Sequence, residues 1–579
     1  MLKERAAMRL SSLQSVTKQP TTYRSAIRLI SQLATTASTP LFLKRGESVM
    51  VQQRRRRSVT RHLAGAIAAL GLVAFSLGAL AAQPNDAFPV SHNMRRIGHA
   101  DLQGRTAYQP TLHTINGRTY LFVGHFAGTT KAGLPNGGTS IVDVTDPANP
   151  NQVNFLPSNG SQMVRVCDGG AIGSAGRYYM LRNTSNTHEV WEVTNPASPT
   201  LLSVIRPDLT NPNSVFTNTH KNWWECDTGI AYIVAGAGAR AVPGPDGWTT
   251  NQHIKIYDLS NPSSPVYIRD IGLVGQNPGS SVTTATSGVH GPISIKNNPT
   301  TSEPVNRIYI PYGTSSNGVF QIVDRLKVLP ASLGGTWDGL RATNPTDDDL
   351  RSLVVGSMDM TPTEGAHTSF PIFNVPLKHY QGFTSGSTRD LVALISEETD
   401  NHCNGAPHFG YLVDATRTAG AGGASAGENH PMVISTMQVH DDSARPDFCT
   451  RGTRFGTHST NESFYAPYYG KLLVIAYFDG GVRIFDIRDP YRPKDVAYFI
   501  PNVTDNTIPT NVTISGVVQS FLDVSTDNAE VDDRGLIYIV DRVGGGADIL
   551  KLTGEAREIV EGDRDDHDHD HGHDHDHDH

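Results

Sequence analysis

Ile141-Val142-Asp143-Val144-Thr145-Asp146-Pro147, followed by Pro150, reads as a short apolar run, an acid, another apolar residue and a Pro-x-x-Pro turn. The same order returns at Val190-Trp191-Glu192-Val193-Thr194-Asn195-Pro196 with Pro199 and at Ile256-Tyr257-Asp258-Leu259-Ser260-Asn261-Pro262 with Pro265. It returns once more at Ile484-Phe485-Asp486-Ile487-Arg488-Asp489-Pro490 with Pro493. Pared-down copies keep the strand and its acid at Ile322-Val323-Asp324, Leu412-Val413-Asp414 and Ile539-Val540-Asp541. The seven acids stand 49 to 90 residues apart and mark seven units.

Each apolar run reads as a buried strand that the Asn/Asp-Pro pair ends, because proline cannot donate to a ladder. A further strand-like run follows the turn, as at Val266-Tyr267-Ile268, and two more precede the acid. Four strands in each of seven units predict an all-β, seven-bladed β-propeller with four-stranded blades, over residues 83–555. Two stacked β-sandwiches are the lesser alternative, since sandwiches do not repeat one motif sevenfold. Asn93–Leu102 is strand-like and placed to pair with the last unit and close the ring. The longest interval is expected to hold loop, notably Thr418–Gly427.

The motif copies resemble those of the LVIVD-repeat family of secreted β-propellers, over roughly residues 100 to 545. The resemblance implies the fold and brings little about activity. A more distant similarity, in architecture and in His290-Gly291-Pro292, is to selenium-binding and methanethiol oxidase-type propellers, which are associated with copper.

The 579 residues include 55 Gly and 35 Pro, in keeping with many short strands and turns. Of the formal charge of −8, much comes from eight Asp between Asp563 and Asp578. The remainder shows no basic stripe, which argues against a nucleic-acid partner.

Residues 1–82 read as an N-terminal extension and export signal. Arg54–Arg57 precede the Ala/Gly-rich run Leu63–Ala82, with Ala79-Leu80-Ala81 as a small-residue cleavage site. A retained anchor is the lesser reading, because the run is short and weakly apolar for a membrane span. The arginines before Ser58-Val59-Thr60 resemble a twin-arginine signal that lacks its usual Phe-Leu pair. The long stretch ahead of them makes Met50 a candidate start. A periplasmic or secreted protein, free of the membrane after cleavage, is the expectation. In such an oxidising compartment Cys167, Cys226, Cys403 and Cys449 are expected to form disulfides. Of the three pairings, Cys167–Cys226 with Cys403–Cys449 is preferred because it joins neighbouring units.

Aligned on the acids, four consecutive units begin their inner strand with histidine: His220, His290, His367 and His458. The nearest equivalents elsewhere are Tyr108, Asp168 and Gln519. Inner strands of a propeller converge on one axis, where four imidazoles would repel one another if protonated. Neutral, metal-bound nitrogens resolve that conflict, and imidazoles suit copper, zinc or iron. His125, Glu397 and Glu398 fall at the ends of second strands on the same face, with Glu397 or Glu398 expected to carry protons. The bland reading of any one histidine is a hydrogen bond to its own turn. Four in register outweigh it.

From 556 to 579 the chain is expected to be a disordered, metal-binding tail. There His567, His569, His571, His573, His575, His577 and His579 alternate with acids, apart from one glycine. A solubilising tail is the alternative. The combined expectation is a His-lined central metal site, with a metal-dependent oxidoreductase acting on a small molecule as the leading function. The alternatives are a non-catalytic binding propeller that takes a small molecule or protein on one face, and a metal buffer working through its tail.

Overall fold

In the computed structural model the repeated acid is an end-stop. Asp143, Asp258, Asp324, Asp414 and Asp486 each accept a hydrogen bond from the backbone N–H two residues on, at 2.8 to 3.0 Å. Three residues further along, Asp146, Asn195, Asn261 and Asp489 do the same. In blades 1, 3 and 6 two successive side-chain-capped turns close the third strand before the chain reverses. The motif is therefore scaffold chemistry.

The structure describes residues 89–562 apart from 208–215, 240, 285, 315, 378–386, 418–425 and 440–446. The expected export segment, most of the Thr418–Gly427 loop and the tail from Asp563 onward lie outside the described residues. Within them the chain folds into seven antiparallel four-stranded sheets, a seven-bladed β-propeller. The innermost strands are Ala107–Ile115, Val164–Asp168, Asn222–Trp224, Ile293–Asn297, Ala366–Pro376, Ser459–Thr460 and Thr526–Val531, taken as blades 1 to 7. Third strands carry the motif, from Gly138–Asp143 in blade 1 to Val482–Asp486 in blade 6.

Blade 7 departs from expectation. Ile539-Val540-Asp541 ends its second strand, Leu536–Asp541, while the third strand is Ala547–Leu552. Lys551 pairs with Leu536, as Asp486 pairs with Leu472 in blade 6, so a lysine occupies the motif's acid position. The fourth strand of blade 7 is Met94–Ala100, from the other end of the chain, which closes the ring by pairing with Ala547–Leu552. Val90–His92 adds a fifth strand to blade 6.

The core lies between blades. Leu121, Val123 and Val142 of blade 1 meet Tyr538, Val540 and Ile549 of blade 7, and Phe122 and Ile141 meet Val164 and Met180 of blade 2. The inner three strands are thus apolar on both faces, which is why they read as unbroken Val/Ile/Leu runs. Both disulfides form as paired above. Cys167–Cys226 ties blade 2 to blade 3, and Cys403–Cys449 ties blade 5 to the connection into blade 6. Among the described residues no helix is long and apolar enough to cross a membrane.

Candidate metal centre at the mouth of the channel

First strands begin, and second strands end, on one face of the ring. The four histidines stand at or just before the starts of the inner strands of blades 3 to 6, and they come together. Their rings follow one another with centroid separations of 4.6 Å (His220–His290), 3.5 Å (His290–His367) and 4.3 Å (His367–His458). His290, His367 and His458 are buried and His220 is half-buried.

Tyr108, at the same place in blade 1, supplies the centre of convergence. Its hydroxyl lies 3.2 Å from Nε2 of His220, 3.1 Å from Nε2 of His290 and 3.4 Å from Nε2 of His367. Nε2 of His220 and Nε2 of His290 are 2.7 Å apart. One hydroxyl proton cannot serve three ring nitrogens, and Nε2 of His458 has no hydrogen-bond partner among the described residues. The donor set is richer in lone pairs than in protons.

Glu397, just past the end of blade 5's second strand, completes the group. Its Oε2 is 3.8 Å from Nε2 of His367, and its Oε1 is 3.7 Å from Nε2 of His458 and 2.9 Å from Nη1 of Arg454. One ligand atom each from His290, His367 and Glu397 lie within 4.8 Å of one another, a spacing one cation can bridge. Glu398 is turned elsewhere: it accepts from the Asp400 N–H and does not line the mouth. His125 is buried against Ser140 Oγ, at 2.8 Å, and the Thr106 carbonyl, outside the group.

Two expected equivalents are displaced. Asp168 lies at the far end of its strand, and the place in blade 2 belongs to Gln162, whose Oε1 is 3.3 Å from Nδ1 of His220. Gln519 lies on an extra hairpin, Thr510–Ile514 with Val517–Phe521, and the place in blade 7 belongs to Asp527. Asp527 is paired with Arg542 Nε at 3.2 Å, and its backbone carbonyl receives Nδ1 of His458. That bond leaves Nε2 of His458 as the nitrogen with a free lone pair.

Electrostatics keep the ring neutral. Burial, then the Lys221 and Arg542 cations, holds His220 down to about 4. His290, His367 and His458 are held well below the ordinary histidine value, burial again being the largest cause. Burial raises Glu397 against the pull of Arg454 and Arg542, and raises Asp527 to about 7. One layer down the channel, Lys221 and Arg165 both pair with Glu462, whose backbone N–H donates to Glu530. Lys221 fits only because residue 291 is glycine: a Cβ there would stand 2.1 Å from Lys221 Cδ. That contact explains the glycine of His290-Gly291-Pro292.

Above the ring opens a cavity of about 310 Å³. Tyr108, Gln162, His220, His290, Glu397 and Arg542 are among its lining residues. Its size suits a small molecule, and its walls offer donors, acceptors and two opposite charges.

No family model and no curated protein matches the chain. Solved β-propellers resemble it in outline. Sqt1 of Saccharomyces cerevisiae is 9% identical with a TM-score of 0.40, over 79% of this chain and 99% of that one. The Dos1 propeller is 10% identical with a TM-score of 0.39, over 80% and 96%. Sqt1 of Chaetomium thermophilum, solved bound to the N-terminus of ribosomal protein L10, is 10% identical with a TM-score of 0.39, over 79% and 99%.

Proposed function

We propose that this chain is an exported propeller of the LVIVD-repeat type that holds one transition-metal ion at the mouth of its channel. In this reading it works there as a metal-dependent oxidoreductase on a small molecule. The observation that carries the reading is the convergence of three Nε2 atoms, two of them from buried rings, on the Tyr108 hydroxyl, with those of His220 and His290 2.7 Å apart. Two nitrogens about 2.0–2.1 Å from one metal, at tetrahedral or square angles, stand roughly 2.9–3.4 Å apart. The His220–His290 pair is therefore close to ligand spacing without rearrangement. Its neutral imidazoles are in the protonation state that ligation needs.

His220, His290, His367 and His458 would hold the ion, and copper, zinc and iron all suit the donors. Copper or iron would supply one-electron chemistry. Glu397, raised by burial and steered by Arg454, takes or returns a substrate proton at its carboxylate, while Tyr108 and Arg542 orient what enters the mouth. The two disulfides support a periplasmic or secreted location. The histidines of the tail would bind further ions loosely.

Elemental analysis of the protein ending at Gly562, purified without added metal, tests the site. About one equivalent of copper, zinc or iron is expected, and its loss in His290→Ala/His458→Ala. A well-folded protein that carries no metal overturns the reading and leaves a binding propeller.

A further inference from the structure

The face opposite the histidines carries a groove of about 880 Å³ between blades 5 and 6. Four of its lining residues are basic, Lys471, Arg488, Arg492 and Lys494, and its apolar floor includes Phe373 and Tyr469. Asp486 and Asp489 also line it, but Asp486 is bridged by Arg488 and Asp489 caps its own turn. Lys471, Arg492 and Lys494 enter none of the ion pairs found among the described residues, and Arg492 and Lys494 are exposed. The groove is a patch of positive charge on an acidic protein.

The chain itself leads into this groove. The C-terminal helix, Gly554–Glu561, follows the third strand of blade 7 onto that face, and both Ile559 and Gly562 line the groove. The next 17 residues (579 − 562) hold eight Asp and one Arg, a formal charge of −7 with neutral histidines. Fully extended they reach at most about 60 Å, more than enough to lie along the groove they start from.

We propose that the segment Asp563–His579 docks in this groove of its own propeller, its aspartates facing Lys471, Arg492 and Lys494. Tethering raises the local concentration of the acids to the millimolar range or above, so weak individual ion pairs suffice. Cations captured by the histidines cancel the charge that docks the segment, so docking and metal capture oppose each other reciprocally.

Gly572→Cys in the full chain, with both disulfides intact, accepts a fluorophore whose anisotropy reports local freedom. At 20 mM salt the expected value is well above that of the labelled free peptide, falling to the peptide's value at 0.5 M as charge is screened. Lys471→Glu/Arg492→Glu/Lys494→Glu should give the low value at both salts. A low-salt value equal to the peptide's, or one indifferent to salt, overturns the proposal without any charge variant having to fold. Anisotropy that falls on dilution also overturns it, since the groove of a second copy would then be the site.

Discussion

His188 shows how a single buried ring couples this fold to pH. It starts the third strand of blade 2, is fully buried edge-on to Phe216 at 5.7 Å, and neither ring nitrogen finds a hydrogen bond among the described residues. Burial pushes it down to about 3, against about 6.5 in the unfolded chain. Between those values the unfolded chain binds a proton that the native protein refuses, so stability falls as pH falls through that window. The cost is about 1.4 kcal/mol per pH unit. His188→Phe should therefore be at least as stable as the parent at pH 7. It should also lose about 2 kcal/mol less between pH 6 and pH 4.5. Urea unfolding at the two pH values decides it, and parallel losses in both proteins would mean that His188 is solvated. Raised carboxylates such as Glu530, at about 8, act in the opposite direction but cancel in the comparison.

At the scale of the element, the ring depends on one strand borrowed from the chain's beginning. Met94–Ala100 bulges between Arg96 and Gly98 and passes under the Asp146-Pro147 turn of blade 1. A Cβ on Gly98 would stand 1.9 Å from the Pro147 carbonyl oxygen, a backbone atom with nowhere to go. Gly98→Ala should cost about 1–3 kcal/mol, the usual price of overpacking. A denaturant midpoint unchanged from the parent would show that the closure is loose.

The same strands show what a sequence reveals. Six third strands announce themselves because a carboxylate ends each run: five aspartates accept from the backbone N–H two residues on, and Glu192 accepts from the Thr194 hydroxyl. The seventh is silent because Lys551 stands in that place; Asp541 accepts from the N–H two residues on, as the motif acids do, but at the end of a second strand, where Ser525 and Gly545 also donate to it. The count of blades survives this slip because second and third strands alternate within the same unit. The histidines were legible because one residue type recurs at one position in four consecutive blades. Gln162 and Asp527 occupy the corresponding positions with other chemistry, ahead of one strand and second in the other, and nothing in the local sequence marks where those strands start. Arg454 and Arg542 reach the mouth from loops, where spacing carries no signal.

For the molecule as a whole, an ion at the proposed ring site would favour the folded state, whereas ions on the tail would not. The proposed ligands from His220 to His458 span 238 residues (458 − 220) and meet only when the propeller closes. An ion held there stabilises the native state by RT ln(1 + [L]/Kd), about 2.7 kcal/mol at a hundredfold excess over Kd. The tail's histidines are neighbours along the chain, so they would chelate an unfolded protein at least as well as a folded one and could not raise stability. Copper or zinc should therefore raise the melting temperature of the full chain but not that of His290→Ala/His458→Ala, although both proteins bind ions. An equal rise in both would place the stabilising metal away from the ring. A rise in neither, with metal bound to both, would leave the tail as the only chelator. The melting shift thus separates the two metal populations in one intact protein, where elemental analysis of the full chain would count them together.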